Sequence, residues 1–178
     1  MTRRTAAAKT KTKTGLRFVT AKHAEIELAP WGKHWWLSRP GLTDTRQLTL
    51  VRVTMRPGAG HQFHYHPARE EIIYIVDGVA EQWVDREKRR LKAGECAFIP
   101  AGVVHAIHNS SAEPMTFLAI LSPSEAAGPF LVDCYEDEPW RSLRPAQAEV
   151  TLRPTKKKKK KVARQNPRRT SRTRKPRK

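Results

Sequence analysis

Between residues 46 and 121, turn signals recur about every 8–12 residues, and no run between them has the 3.6-residue period of an amphipathic helix. Arg46–Arg56 is rich in Leu, Val and Thr with near-alternating polarity. Glu71–Val76 stops at Asp77-Gly78 and Val79–Asp85 resumes at once, the pattern of two strands joined by a tight hairpin. Leu91 leads to a turn at Gly94, and Cys96–Ile99 runs up to Pro100-Ala101-Gly102. Val103–His108 and Met115–Leu121 lie on either side of Asn109–Pro114. A chain punctuated this often buries its apolar side chains by pairing short strands, so the fold class is all-β, a sandwich or closed barrel.

One of these runs carries unusual chemistry. His61, His64 and His66 fall within six residues, Glu70 and Glu71 follow, and His105 opens a later strand. Alternate residues of a strand share a face, so His64 and His66 project together. Pro67 breaks the strand, which lets Glu71 return to the same inward side on the next stretch. Neutral imidazole nitrogens with one hard carboxylate oxygen make a donor set for a divalent metal.

These residues stand in two spaced patterns, Gly58, His64, His66, Glu71, Gly78 and then Gly94, Pro100, Gly102, His105, Asn109. In both the chain resembles the cupins, over roughly residues 40–125. The resemblance implies an antiparallel jelly-roll β-barrel and a divalent metal held by His64, His66, Glu71 and His105. It also implies a small organic molecule, substrate or ligand, in the barrel, with Glu71 as a candidate base and a homodimer as the assembly. The glycines read as turn positions, Pro100 as a fixed entry to the strand of His105, and Asn109 as the closure of the turn after it. An octahedral ion on three nitrogens and one oxygen keeps two positions for other ligands, which suits Fe, Mn, Ni or Co better than a closed Zn site. The affinity order of the metals does not choose among the five.

Other residues near the motifs are given structural roles. His61 reads as a loop or surface residue, and His108, three positions after His105, as a residue of the opposite face. Tyr65 turns outward by alternation, Gln62 shares the inward face if the strand starts early, and Arg69 flanks the ligands. Trp83 reads as core. Trp31, Trp35 and Trp36 read as a strap packed over the barrel, with a substrate lid as the alternative.

The charge divides the chain. Of 35 Lys+Arg and 17 Asp+Glu, residues 1–17 hold six basic and no acidic side chains, and residues 153–178 hold fifteen basic and none acidic. The stretch between them is left with a net charge of −3. The division is therefore a disordered basic segment 1–17, a barrel domain 18–152, and a disordered Lys/Arg-rich tail 153–178. The tail suits sequence-independent contact with nucleic acid, an anionic surface, or no dedicated partner. No apolar run approaches the length of a membrane span, the N-terminus lacks the apolar core of a secretory signal, and Cys96 and Cys134 form no disulfide framework. The expectation is a cytoplasmic protein, with nucleoid association as a variant. Three functions fit: a metal-dependent oxygenase or isomerase, a non-catalytic small-molecule binder or sensor, and an accessory protein that binds polyanions through its tail.

Overall fold

The computed structural model describes residues 15–143. Its strands are β1 (Glu25–Ala29), β2 (Gly32–Ser38), β3 (Thr49–Met55), β4 (Gly60–Tyr65), β5 (Glu70–Asp77), β6 (Val79–Val84), β7 (Glu87–Lys92), β8 (Cys96–Ile99), β9 (His105–His108), β10 (Met115–Ser122) and β11 (Val132–Asp133), followed by one helical turn, α1 (Trp140–Leu143). Two antiparallel sheets result, one in the order β1-β2-β3-β10-β5-β8 and one in the order β11-β4-β9-β6-β7. This is the all-β jelly-roll architecture expected from the sequence. Among the described residues, no helix is long and apolar enough to cross a membrane. Residues 1–14 and 144–178 lie outside the described residues, and with them most of the basic segment 1–17, the end of the expected domain 18–152, and the whole tail 153–178 with its expected disorder.

Period-two alternation builds the core. On β3, residues Thr49, Val51, Val53 and Met55 are buried. On β5 Glu71, Ile73 and Ile75 are buried, and on β10 Met115, Phe117, Ala119 and Leu121. With Ala80, Ile99 and Ile107 these side chains fill the space between the sheets. A second cluster forms on the outer side of the five-stranded sheet, where Phe63, Trp83 and Ala106 are covered by Cys134, Tyr135, Trp140 and Leu143. Trp83 is therefore core, as expected, but of this outer cluster. The metal-candidate residue Glu71 is the first inward position of β5, in line with Ile73 and Ile75.

The structure corrects one local reading. Asp77-Gly78 does not make a hairpin, because β5 pairs with β10 and β8 while β6 pairs with β7 and β9. The turn instead carries the chain from one sheet to the other. Gly78 has φ of 84°, and a Cβ there would sit 2.8 Å from the Cβ of Met115, so neither the bend nor the packing admits a larger residue. A tight hairpin does join β6 and β7 one strand later, through Asp85 at φ of 49°.

The aromatic strap is corrected as well. Trp35 and Trp36 lie within β2, which extends the six-stranded sheet through β3, and Trp31 immediately precedes it. Trp31 and Trp36 line the barrel cavity, whereas Trp35 faces out between the Lys33 ammonium and the Arg52 guanidinium, 4.7 and 4.4 Å from its ring.

Candidate metal centre

His64 comes from β4, His66 from the residue after it, Glu71 from β5 and His105 from β9. The four side chains are buried, and one donor atom from each lies within 4.8 Å of all the others. They converge because β4 pairs with β9, with His64 opposite His105, while the Pro67-Ala68 turn hands the chain across to β5 in the facing sheet.

The ring orientations are fixed from behind. The Nδ1–H of His64 donates to the carbonyl of Gln62 at 2.7 Å, that of His66 to Phe130 at 2.6 Å and that of His105 to Val103 at 3.1 Å. A carbonyl only accepts, so each ring carries its proton on Nδ1 and, when neutral, turns the lone pair of Nε2 inward. Nε2 of His105 then faces Glu71 Oε2 at 2.8 Å, and Nε2 of His66 faces the same oxygen at 3.3 Å. Two lone-pair atoms this close repel unless a cation or a proton lies between them. Buried Glu71 Oε2 and His105 Nε2 accordingly have no hydrogen-bond partner. The donor chemistry therefore fits a divalent cation.

Burial acts against the Glu71 carboxylate; a proton on Nε2 of His105 or His66, standing in place of a cation, would donate to it and hold it below the usual carboxylate range. Burial drives His64 well below the ordinary histidine value, with His61 and His105 adding to the effect. Ionised carboxylate and neutral imidazole are the protonation states a metal site needs.

His61 departs from the sequence reading. It lies in β4 rather than in a loop, and its ring packs 4.0 Å from that of His64 and 4.5 Å from that of Trp31, centroid to centroid. The cause is a bulge: His61 and His64 are three positions apart, while their partners Ile107 and His105 are two apart. The extra residue puts both histidines on the cavity side, keeps Phe63 outside, and removes Gln62 from the inward face. Burial lowers the His61 imidazole to about 3. His108 sits on the outer face as expected, Tyr65 packs outward against the second cluster, and Arg69 is buried with its guanidinium 4.7 Å over the Phe130 ring.

Above the four donors lies a cavity of about 280 Å³. Its walls include Trp31, His34, Trp36 and Phe130, none of which carries a motif spacing that sequence reasoning could have used. The signal for the first three was only the aromatic density of residues 31–36, and Phe130 had none.

Residues 51–121 match the family model described as Cupin domain. Among curated proteins, the chain is 43% identical over 61 residues to an uncharacterised protein of Aquifex aeolicus, covering 34% of this chain and 50% of that one. It is 32% identical over 101 residues to oxalate decarboxylase OxdC of Bacillus subtilis, covering 54% and 26%. The matches thus span half or less of these relatives. A solved structure of the Bacillus subtilis oxalate decarboxylase, determined in work on its Mn(II) centres, superposes with a TM-score of 0.55 at 24% identity, covering 70% of this chain and 33% of that one. KdgF from Halomonas sp. superposes with a TM-score of 0.53 at 24% identity, covering 62% and 94%. At such identities the superpositions establish the fold.

Proposed function

On the premise that residues 51–121 form a cupin domain, we propose that this chain binds one divalent metal ion through His64, His66, Glu71 and His105 and uses it to bind or transform a small organic molecule in the barrel. The observation that carries the reading is the set of buried donors facing one another with every histidine Nδ1–H already committed to a backbone carbonyl. A bound ion would supply Lewis-acid polarisation or oxygen activation. The chain's own residues orient the imidazoles and close the floor of the cavity. Glu71 fits the role of ligand better than that of base, since its Oε2 faces Nε2 of both His105 and His66, at 2.8 and 3.3 Å. Oxygenase- or isomerase-like turnover is the enzymatic form of this proposal, and Fe, Mn, Ni, Co and Zn all suit the donors.

Elemental analysis of the purified full chain tests it. One equivalent of a divalent metal is expected, falling as pH drops through the histidine range, with His105→Ala and Glu71→Gln holding little. Absence of metal after purification with added divalent ions, with melting unchanged by those ions, would overturn the assignment. Oxygen uptake and turnover by the loaded protein then separate an enzyme from a sensor.

A second reading rests on composition. Fifteen basic residues within 153–178 suit non-specific binding of nucleic acid. Removal of that segment should abolish retention on DNA without changing metal content. Binding that is insensitive to salt between about 50 and 200 mM would refute the electrostatic account.

A further inference from the structure

Seven ring side chains close a collar around the cavity. Going up one side from the metal-candidate residues, His64 packs against His61 at 4.0 Å, His61 stacks on Trp31 at 4.5 Å, and Trp31 meets His34 edge-on at 4.5 Å. The circuit continues from His34 to Trp36 at 6.4 Å, from Trp36 to Phe130 at 6.4 Å and from Phe130 to His66 at 5.3 Å, and His66 returns to His64 at 5.2 Å. The rings come from β2 and the turn before it, from β4 and its end, and from the loop before β11, so the collar is assembled by the tertiary fold.

The charge inside the collar is distinctive. Among the described residues lining the cavity there is no lysine or arginine, so apart from an ion on the four donors nothing in the wall attracts an anion. Two carboxylates line it. Glu71 belongs to the four-donor cluster, and the exposed Glu27 keeps its charge while accepting a hydrogen bond from Trp36 Nε1 at 2.9 Å. One polar atom of the wall is left over. His34 is 8% exposed, and its Nδ1 is buried without a hydrogen-bond partner. Such an atom needs a partner to offset its desolvation. An apolar cavity of about 150 Å³ already takes up benzene. The present 280 Å³ accommodates a molecule of one or two rings.

We propose that the collar binds a flat ring compound bearing a hydroxyl, its faces against Trp31 and Trp36 and its oxygen bonded to His34 Nδ1. The inference rests on the reading of the barrel as a small-molecule pocket, and its test separates the collar from the ion. Binding of 2-naphthol to the full-length purified chain is followed by calorimetry and tryptophan quenching. Oxalate, which has no ring and which an ion on the four donors would hold by itself, serves as the contrast, with metal content measured on every sample. One naphthol per chain is expected, and any oxalate binding is unchanged by the collar variants. Trp31→Ala and Trp36→Leu each weaken naphthol about tenfold, and His34→Phe, which keeps the ring and removes the nitrogen, about fivefold, in line with one lost hydrogen bond. Naphthol binding lost in these variants while metal is retained supports the collar. Collar-dependent binding by a chain that holds no metal also supports it and refutes the metal assignment alone. Naphthol failing to bind a metal-retaining chain, or naphthol binding unchanged in both tryptophan variants, overturns it.

Discussion

Acid should destabilise this protein in a window that one residue makes measurable. His108 packs on the outer face of β9, 7% exposed, and neither of its ring nitrogens has a hydrogen-bond partner. Burial, only partly offset by Glu81 across the strand pair, lowers its imidazole to about 4 from 6.5. Above about pH 6.5 the ring is neutral whether the chain is folded or not, and pH has no leverage through it. Below that value the unfolded chain takes up a proton that the folded chain refuses, so stability falls with acid at about 1.4 kcal/mol per pH unit until the folded ring titrates. The loss from this group is about 2 kcal/mol by pH 5 and about 3 kcal/mol by pH 4, a large share of a typical total of about 5–15 kcal/mol. The assay is urea unfolding of the native chain and of His108→Leu from about pH 7.5 to 5. Any packing cost of leucine is the same at every pH, so the difference between the two curves isolates the ring. The variant should gain about 2 kcal/mol relative to the native chain across that range. Parallel curves would show that the ring is solvated or hydrogen-bonded when folded, and the reasoning from its burial would fail.

Three shorter predictions follow from the packing. Gly60→Ala places a Cβ 2.0 Å from Cδ2 and 2.8 Å from Cγ of His108, a buried ring with little room to withdraw, and should cost about 1–3 kcal/mol by urea unfolding. Phe63→Ala empties the centre of the outer cluster, where Phe63 is fully buried against Trp83 and Trp140, and should cost about 3–5 kcal/mol in the same assay. For the expected homodimer, Ile72, Tyr74, Val76 and Phe98 leave an exposed apolar stripe on the outside of the six-stranded sheet. Sedimentation should show a dimer that Phe98→Glu converts to monomer, and a native chain that sediments as a monomer rejects the expectation.

Most strands were legible because turn residues bound short apolar runs, as at Cys96–Ile99 and Met115–Leu121, and because one buried face leaves near-alternating polarity in Arg46–Arg56. The four donors were legible for a different reason, since their spacing matched a known pattern residue by residue. What could not be read was pairing. Asp77-Gly78 looks like a hairpin turn because its local chemistry is that of one, but whether the two flanking strands pair or part depends on β8, β9 and β10, far along the chain. β1 escaped notice because its residues are almost all exposed, which leaves no inward face to recognise. The cavity wall was hidden similarly, since Trp31, His34 and Trp36 gain their role only when β2 joins the sheet beside β3.

The bulge in β4 shows how much can turn on one residue. Strict alternation from His64 backwards would put Gln62 in the cavity and His61 with Phe63 on the outer face, competing for the space that Phe63 fills. With one residue left out of the ladder, Phe63 keeps the outer core and His61 enters the collar. Gln62 is the better candidate for the unpaired residue, because its Oε1 is buried without a partner while Phe63 is fully packed. Two single-residue deletions therefore have opposite outcomes. Deleting Gln62 leaves His61, Phe63 and His64 in plain alternation with their present facings and makes the His61 carbonyl the one two residues before His64 in place of that of Gln62, so the chain should fold and still bind the proposed ion. Deleting Tyr65 turns His66 outward, takes its ring from the Phe130 carbonyl, and should lose the ion. Circular dichroism and metal content on both variants decide the matter. Equal loss from the two would mean that β4 tolerates no change of length and that the bulge has no separable role.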